Sequence, residues 1–323
     1  MSVHPETIQR LAGIPNLTVS RGPLLSRYTR FAIGGPAELL VDAVDERAFT
    51  QALDVVRSNG APYAVIGGGT NLIVSDHGFP GIVLRYTARF ILRDGNTVHV
   101  AAGAELQALV DFSIANGLRG LETMTGIPGW VGAAVYGNAG AYGHSINERI
   151  RLVRFFDGTA IRAMSNEECR FRYRESVFKK QKDWIVLAAE LDLDPAPPEE
   201  LCKTADEILK IRLEKYPLTM KCAGSIFKNL ILAELTADVQ RQVPPRVVRE
   251  GKVPSAYFLE EVGAKGMQIG DIRVATYHAN LIYNDGQGTA RELRQVIAEL
   301  KSRVAARFGL TLEEEVQYVG FTV

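Results

Sequence analysis

Six glycines and a proline fall within the eighteen residues from Gly126 to Gly143, and this stretch limits the fold more than any other. Glycine-rich backbone loses more conformational entropy on ordering than other backbone, so an ordered stretch of this kind usually surrounds something. A second glycine loop, Val65-Ile66-Gly67-Gly68-Gly69-Thr70-Asn71-Leu72, follows a predicted strand. Consecutive glycines let main-chain N–H groups wrap a pyrophosphate with no Cβ in the way. Thr70 and Asn71 add side-chain donors. Taken alone, that loop reads as a turn between two strands. It is neither a Rossmann fingerprint nor a Walker A loop, since no G-x-G-x-x-G opens a helix there and no Gly-Lys-Ser/Thr follows. Two such loops, about one small subdomain apart, suit an extended dinucleotide held at both ends.

Short β-rich runs punctuated by glycine fill the first half. Ala37–Ala43, Tyr63–Ile66, Ile82–Tyr86 and Val98–Ala102 read as strands. Asp45 is placed to cap a helix carrying Ala48, Phe49, Ala52, Leu53, Val55 and Val56, with Gly60 just past its end. A second helix is predicted from Glu105 to Asn116, closed by Gly117, and strands resume at Arg151–Phe156 and Trp184–Leu193. The cluster Pro195-Ala196-Pro197-Pro198 precedes a helical segment, Glu199–Glu214, and marks a passage between domains. Near the end, Thr289-Ala290-Arg291-Glu292 makes a capping box. Leu293, Val296, Ile297, Leu300, Val304 and Phe308 form an apolar stripe that Gly309 ends, and a last strand is predicted over Leu310–Tyr318. The segment 230–254 reads as a basic, partly helical insertion, a solvated surface loop more than a contact for ligand phosphates.

With 323 residues, 46% of them hydrophobic, the chain has apolar material for two or three domains. Lys+Arg and Asp+Glu both number 37, and a net charge of zero gives no support for non-specific binding to nucleic acid or an anionic membrane. The longest apolar runs, such as Trp184–Ala189, are too short to span a bilayer. MSVHPETIQRLAG lacks a basic region followed by an apolar one, so a cytoplasmic protein is expected. Cys169, Cys202 and Cys222 form no C-x-x-C pair and read as reduced thiols. The histidines, at 4, 77, 99, 144 and 278, have no ligand spacing, and no metal is expected.

Four further clusters carry polar chemistry. Cys169-Arg170-Phe171-Arg172-Tyr173-Arg174-Glu175-Ser176-Val177-Phe178-Lys179 reads by itself as an amphipathic edge strand with solvated arginines. Ala223-Gly224-Ser225-Ile226-Phe227-Lys228-Asn229 contains a serine typical of a turn, and no G-x-S-x-G elbow supports a hydrolase. Leu312-Glu313-Glu314-Glu315-Val316 reads as an exposed acidic turn; on a strand Glu313 and Glu315 point one way and Glu314 the other. His278-Ala279-Asn280-Leu281-Ile282-Tyr283-Asn284 reads as a strand with a capped turn.

Taken in order, and opened by Thr29-Arg30-Phe31-Ala32-Ile33-Gly34-Gly35-Pro36, these segments resemble the UDP-N-acetylenolpyruvoylglucosamine reductases, flavoenzymes with the vanillyl-alcohol-oxidase (VAO) type of FAD fold. The resemblance runs from about Thr29 to Val316; one departure is Leu230, where most relatives have proline. It implies an α+β chain with a two-subdomain PCMH/VAO-type FAD-binding domain over 1–212, its subdomains at about 18–86 and 87–212. A C-terminal α+β substrate-binding domain over 213–323 follows, its last strand returning to the first subdomain.

The implied cofactor is non-covalent FAD, with NADPH as co-substrate. Its contacts fall on Gly67, Gly68, Gly69, Thr70, Asn71 and Leu72, on Ile127, Pro128, Gly129 and Gly132, and on Asn138, Ala139 and Gly140. Arg174, Ser225 and Glu315 take the catalytic positions, and Tyr173, Arg212, Lys215, Lys228, Asn229 and Asn280 the substrate positions. Glu313 and Glu314 are then solvated neighbours. The implied reaction is the NADPH-dependent reduction of UDP-N-acetylglucosamine enolpyruvate to UDP-N-acetylmuramate for peptidoglycan. Rival expectations are an alcohol or sugar oxidase of the same fold with covalent FAD, a catalytically dead nucleotide-binding regulator, and a nucleic-acid binder. The last lacks both a basic excess and an aromatic platform.

Overall fold

The computed structural model describes residues 3–321, which divide into two units, each with its own hydrophobic core. The first unit holds the chain up to Pro23, Ala37–Gly69 and Pro80–Glu214. The second holds Leu24–Pro36, Thr70–Phe79 and the chain from Lys215 onward. The continuous division expected at 212/213 therefore gives way to an interleaved one, and the glycine loop passes from one unit to the other between Gly69 and Thr70.

The first unit is built on two sheets. In the smaller the strands lie in the order Leu17–Arg21, Ala37–Ala43, Phe79–Tyr86, Tyr63–Val65; the first pair is antiparallel and the last pair parallel. The helix Glu46–Ser58 buries the six apolar residues predicted to face the core, and Asp45 accepts a hydrogen bond from Ala48 N at 2.7 Å. That bond satisfies one of the donors left open in the first turn and holds the Asp45 carboxyl below its ordinary pKa. The larger sheet is antiparallel throughout, in the order Ile161–Ser165, Ile150–Phe156, Ile185–Asp192, Thr97–Ala101, Ile91–Asp94. The helix Val131–Tyr136 lies close to the end of Thr97–Ala101. Gly132 makes that possible: its N–H donates to Ala102 O at 2.8 Å, and a Cβ there would sit 2.8 Å from the Ala102 Cβ.

In the second unit an antiparallel sheet, in the order Lys221–Ser225, Leu281–Asn284, Ile272–Val274, Gln268–Ile269, shares a core with the helix Ala290–Phe308. The apolar stripe of that helix is buried as predicted, and Gly309 ends it at φ 66°. Thr289 and Glu292 form the capping box, and Asp76 adds a second cap through Ala290 N at 2.7 Å and Arg291 N at 3.0 Å. A carboxylate at a helix N-terminus satisfies open donors and complements the dipole.

Two readings of the second unit differ. The last strand is only Gln317–Val319, parallel to Leu72–Val74, because residues 313–315 leave the ladder to pair with Ile226–Lys228. The segment 230–254 is no solvated loop: Leu230–Ile231 pairs with Lys252–Val253, and Leu235, Val239, Val243 and Val253 enter the second core. Its Arg241, Arg246, Arg249 and Lys252 conceal an apolar periodicity too short to stand out in the sequence.

Replacement Asp45→Ala is expected to lower stability by about 1 kcal/mol, the usual worth of an N-cap side chain, read as a shift of the urea midpoint at constant slope.

Candidate functional site

Within the first unit the two glycine stretches meet. A Cβ on Gly68 would lie 3.0 Å from the Trp130 ring, a tight approach, and one on Gly67 3.6 Å from the Ala133 Cβ, so the loop rests closely on the start of Val131–Tyr136. Trp130 in turn has the Arg85 guanidinium 5.7 Å from its ring, and Arg85 is held in a two-pronged ion pair by Asp42 at 2.6 Å. Gly69 turns the loop at φ 68°.

The far end of the long stretch closes as a hairpin, Gly140–Ala141 against His144–Ser145, with both turn residues Tyr142 and Gly143 at positive φ. Asn138 is buried, donates to Arg172 O at 2.9 Å and accepts from Asn147 N at 3.3 Å. Its side chain thus ties the loop to the Arg172 and Asn147 segments. Ala139 donates to Ala134 O and accepts from Ile146 N, while Ile127 donates to Met124 O. Gly126 lies beside Arg212, whose Nε would be 3.2 Å from a Cβ at that glycine. Pro128 and Gly129 lead into Trp130, with Gly129 O accepting from Leu106 N.

The segment carrying Arg174 is a turn, not the edge strand its charge pattern suggests. Arg172 and Glu175 exchange backbone hydrogen bonds at 3.0 Å, with Tyr173 and Arg174 at the tip, and Val177–Lys180 follows as a short helix. Arg174 stands at φ 56°, a left-handed conformation that costs a non-glycine residue on the order of 1–2 kcal/mol. Its guanidinium donates to Gly140 O at 2.9 Å and, more weakly, to Asn138 O at 3.4 Å, and it lies 5.4 Å from the Tyr173 ring. Lys179 donates to Arg174 O at 2.6 Å, and Ser176 to Tyr136 O at 2.7 Å. The fold thus brings Arg174 and Tyr173 to the same loop as Asn138–Gly140. Cys169, at the start of the segment, is buried, and burial pushes its thiol up to about 12.

A second group of candidates assembles in the second unit. Gly224, at φ 81°, lies in a register shift between Cys222 and Ser225, a bulge that re-aims Ser225. The Tyr216 hydroxyl is 3.5 Å from Ser225 Oγ; nothing local in the sequence singles out that tyrosine. Immediately after Ser225, Ile226 O accepts from Glu315 N at 2.7 Å and Lys228 N donates to Glu313 O at 2.9 Å. Ser225 and Glu315, ninety residues apart in sequence, therefore adjoin one pair of antiparallel segments. Asn71 joins them: its Nδ2 donates to Glu315 O at 2.9 Å, and its own C=O accepts from Gln317 N at 2.9 Å. Thr70 and Leu72 flank it, Leu72 beginning the strand that pairs with Gln317–Val319.

Other expectations need revision. Glu314 is no solvated neighbour: it accepts from Lys301 Nζ at 2.7 Å and from the Tyr318 hydroxyl. Glu313 is exposed but takes an ion pair with Lys228. Asn280 is buried, and its amide is spent inside the unit, accepting from Phe227 N at 2.9 Å and donating to Phe227 O at 2.8 Å and Ser255 Oγ at 2.7 Å. Those bonds give it a scaffolding part under the Ser225 segment. Asn229 accepts from Ser255 N at 3.4 Å, and Lys215 Nζ lies 5.0 Å from the Tyr216 ring.

A family model described as the C-terminal domain of UDP-N-acetylenolpyruvoylglucosamine reductase matches residues 216–319, and one described as an FAD binding domain matches 37–161. The UDP-N-acetylenolpyruvoylglucosamine reductase of Solibacter usitatus is 61% identical over 96% of this chain and 100% of its own. The chain belongs to the UDP-N-acetylenolpyruvoylglucosamine reductase family. Its likeness to the reductase of Rubrobacter xylanophilus is 35% identity over 98% of this chain and 99% of that one. The crystal structure of the Thermus caldophilus reductase matches with a TM-score of 0.74 at 31% identity, covering 94% of this chain and 99% of that one.

FAD fits the residues of this reductase fold. Gly67, Gly68 and Gly69 supply consecutive main-chain donors on a loop braced by Trp130, and the Thr70 hydroxyl follows, a donor set suited to a pyrophosphate.

Two outcomes are expected. Asn280→Ala leaves the Phe227 peptide groups without buried partners and should cost on the order of 2–3 kcal/mol by urea unfolding. Burial first, then the nearby Lys215 charge, pulls the His278 imidazole down to about 4 from an ordinary 6.5. The unfolded chain then binds the extra proton between those values, so stability is complete above about 6.5 and declines as pH falls toward 4. His278→Gln should flatten that part of the stability–pH profile.

Proposed function

We propose that Ser225, Glu315 and Arg174 carry the chemistry of the family reaction in this chain. The reaction is the NADPH-dependent reduction of UDP-N-acetylglucosamine enolpyruvate to UDP-N-acetylmuramate. The observation that supports these roles most is the pairing of Ile226–Lys228 with Glu313–Glu315, which sets a hydroxyl and a carboxyl residue on adjoining segments.

Bound FAD supplies the hydride relay from NADPH to C3 of the enolpyruvyl group. Addition at C3 pushes an electron pair toward C2 and the adjoining carboxylate. Arg174 answers the charge on that carboxylate: a planar, permanently charged fork holds it through ground and transition state. Ser225 Oγ gives its proton to C2. A hydroxyl is a weak acid, yet an enolate carbon is strongly basic, and placement offsets the weakness. Glu315 acts on the same developing charge as a hydrogen-bond donor or through a bridging hydrogen bond, since a bare carboxylate there repels an enolate. Lys228 and Arg212 offer positive charge to the diphosphates, and Lys228 must then exchange its pairing with Glu313 for them.

No helix among the described residues is long and apolar enough to cross a membrane. That and the nucleotide co-substrates support a cytoplasmic site of action.

The test separates the two half-reactions by stopped flow. Ser225→Ala is expected to retain flavin reduction by NADPH within a few-fold and to slow flavin reoxidation by the enolpyruvyl substrate by ~10²–10⁴. Equal loss in both half-reactions removes the assignment. In steady state, NADPH oxidation should rise strongly on adding UDP-N-acetylglucosamine enolpyruvate, with UDP-N-acetylmuramate as product. An unstimulated rate favours an oxidase of the same fold, which colour retained on the denatured chain would identify.

A further inference from the structure

Both peptide groups of Glu315 are engaged. Its N–H donates to Ile226 O at 2.7 Å, and its C=O accepts from Asn71 Nδ2 at 2.9 Å. Asn71 makes a second attachment two residues on, where its C=O accepts from Gln317 N at 2.9 Å. One residue thus brackets Glu315-Val316-Gln317 with its side chain at one end and its backbone at the other. The ladder that follows, Leu72–Val74 with Gln317–Val319, continues the same register.

The consequence is geometric. The direction of the Glu315 Cα–Cβ bond, from which its rotamers start, is fixed by the two flanking peptide planes. One plane is tied to the residue after Ser225, the other to a residue of the glycine loop. Without the Asn71 amide the first attachment remains, but the Glu315 C=O loses this bond and the peptide that follows is held less firmly. Donors and carboxylates in an active site act over tolerances well under an ångström, and a displacement of about 1 Å costs up to ~10²-fold in rate.

We infer that Asn71 is a positioning residue, which holds Glu315 in its reactive orientation through the side-chain bond to the Glu315 carbonyl. The inference rests on the proposed role of Glu315. It changes the part expected of Asn71 from the sequence: its side chain serves Glu315, and the loop's backbone and the Thr70 hydroxyl are left to serve the dinucleotide. The asparagine at the end of the glycine run is then bonded to the residue that stabilises charge in the second half-reaction.

A double-mutant cycle on the holoenzyme tests it, with flavin reoxidation by UDP-N-acetylglucosamine enolpyruvate as readout and flavin content and circular dichroism as controls. Asn71→Ala is expected to slow reoxidation by ~10–100-fold in the wild-type background and by less than ~3-fold in the Glu315→Gln background, because residues acting as one unit are not additive. Where the alanine variant fails to fold, Asn71→Asp keeps the size of the side chain, removes the donor, and should give the same cycle. If the double variant shows the full product of the two single effects, Asn71 does not act through Glu315. A folded but flavin-free Asn71→Ala protein likewise overturns the inference, since the side chain then serves the cofactor. Should Glu315→Gln reoxidise at the wild-type rate, the role of Glu315 itself falls and takes the inference with it. Slow Glu315→Gln with additive Asn71→Ala sinks the inference alone.

Discussion

The hydrogen bond from Glu315 N to Ile226 O is short, neutral and worth about 1 kcal/mol net, yet much of the second unit is arranged around it. It joins the end of the chain to the residue after Ser225. For the bond to form, the long helix Ala290–Phe308 must stop at Gly309, and the chain must travel back across the unit without continuing as a strand. On the other side, the register shift at Gly224 must let Ser225 rejoin the ladder opposite Leu281 while Ile226 O stays within reach. Asn280, buried and saturated by Phe227 and Ser255, holds the segment from below. Each constraint is modest. Together they determine which atoms of a serine and a glutamate can approach one small molecule.

In the first unit, close packing of glycine plays the corresponding part. Gly68 on Trp130 and Gly132 on Ala102 are close contacts that a single methyl group would crowd, the second below 3.0 Å. They bring two loops, some sixty residues apart, into one braced surface. The strained backbone of Arg174 belongs to the same construction. Its left-handed conformation persists because the guanidinium, the Lys179 ammonium and the Arg172–Glu175 turn all fix it. Strain kept in place by several partners at a candidate substrate group is consistent with pre-organisation.

Much of the fold was legible in the sequence wherever a local signal coincided with a buried face. The helix after Asp45 and the helix after Thr289 follow from period, cap and terminating glycine, and both lie where these place them. Ala37–Ala43 reads as a strand because its residues are mostly apolar and flanked by glycine-proline on one side and a cap on the other. Where local signal and tertiary demand conflict, tertiary demand prevails. The arginine-rich segment around Arg174 has the alternation of an edge strand, but it is folded into a turn because Cys169 and Phe178 are both drawn into the core. The three glutamates before Val316 look like one acidic turn, yet they go to three different surroundings, one on Lys228, one on Lys301 and Tyr318, one beside Asn71.

What the sequence by itself determined is the inventory: glycines where a backbone must come close, caps at the helix ends, and the three residue types a hydride-then-proton reduction needs. These are local properties, set by steric freedom, hydrogen-bonding capacity and charge within a few residues. Only the tertiary structure decided which of the candidates share a surface. It gave Asn280 to the scaffold, tied Asn71 to Glu315, and brought Tyr216 within reach of Ser225. The physical reason is that a side chain's partners depend on chain segments tens to hundreds of residues away. A hydrogen bond between residues 71 and 315 leaves no trace in the composition or periodicity of either segment.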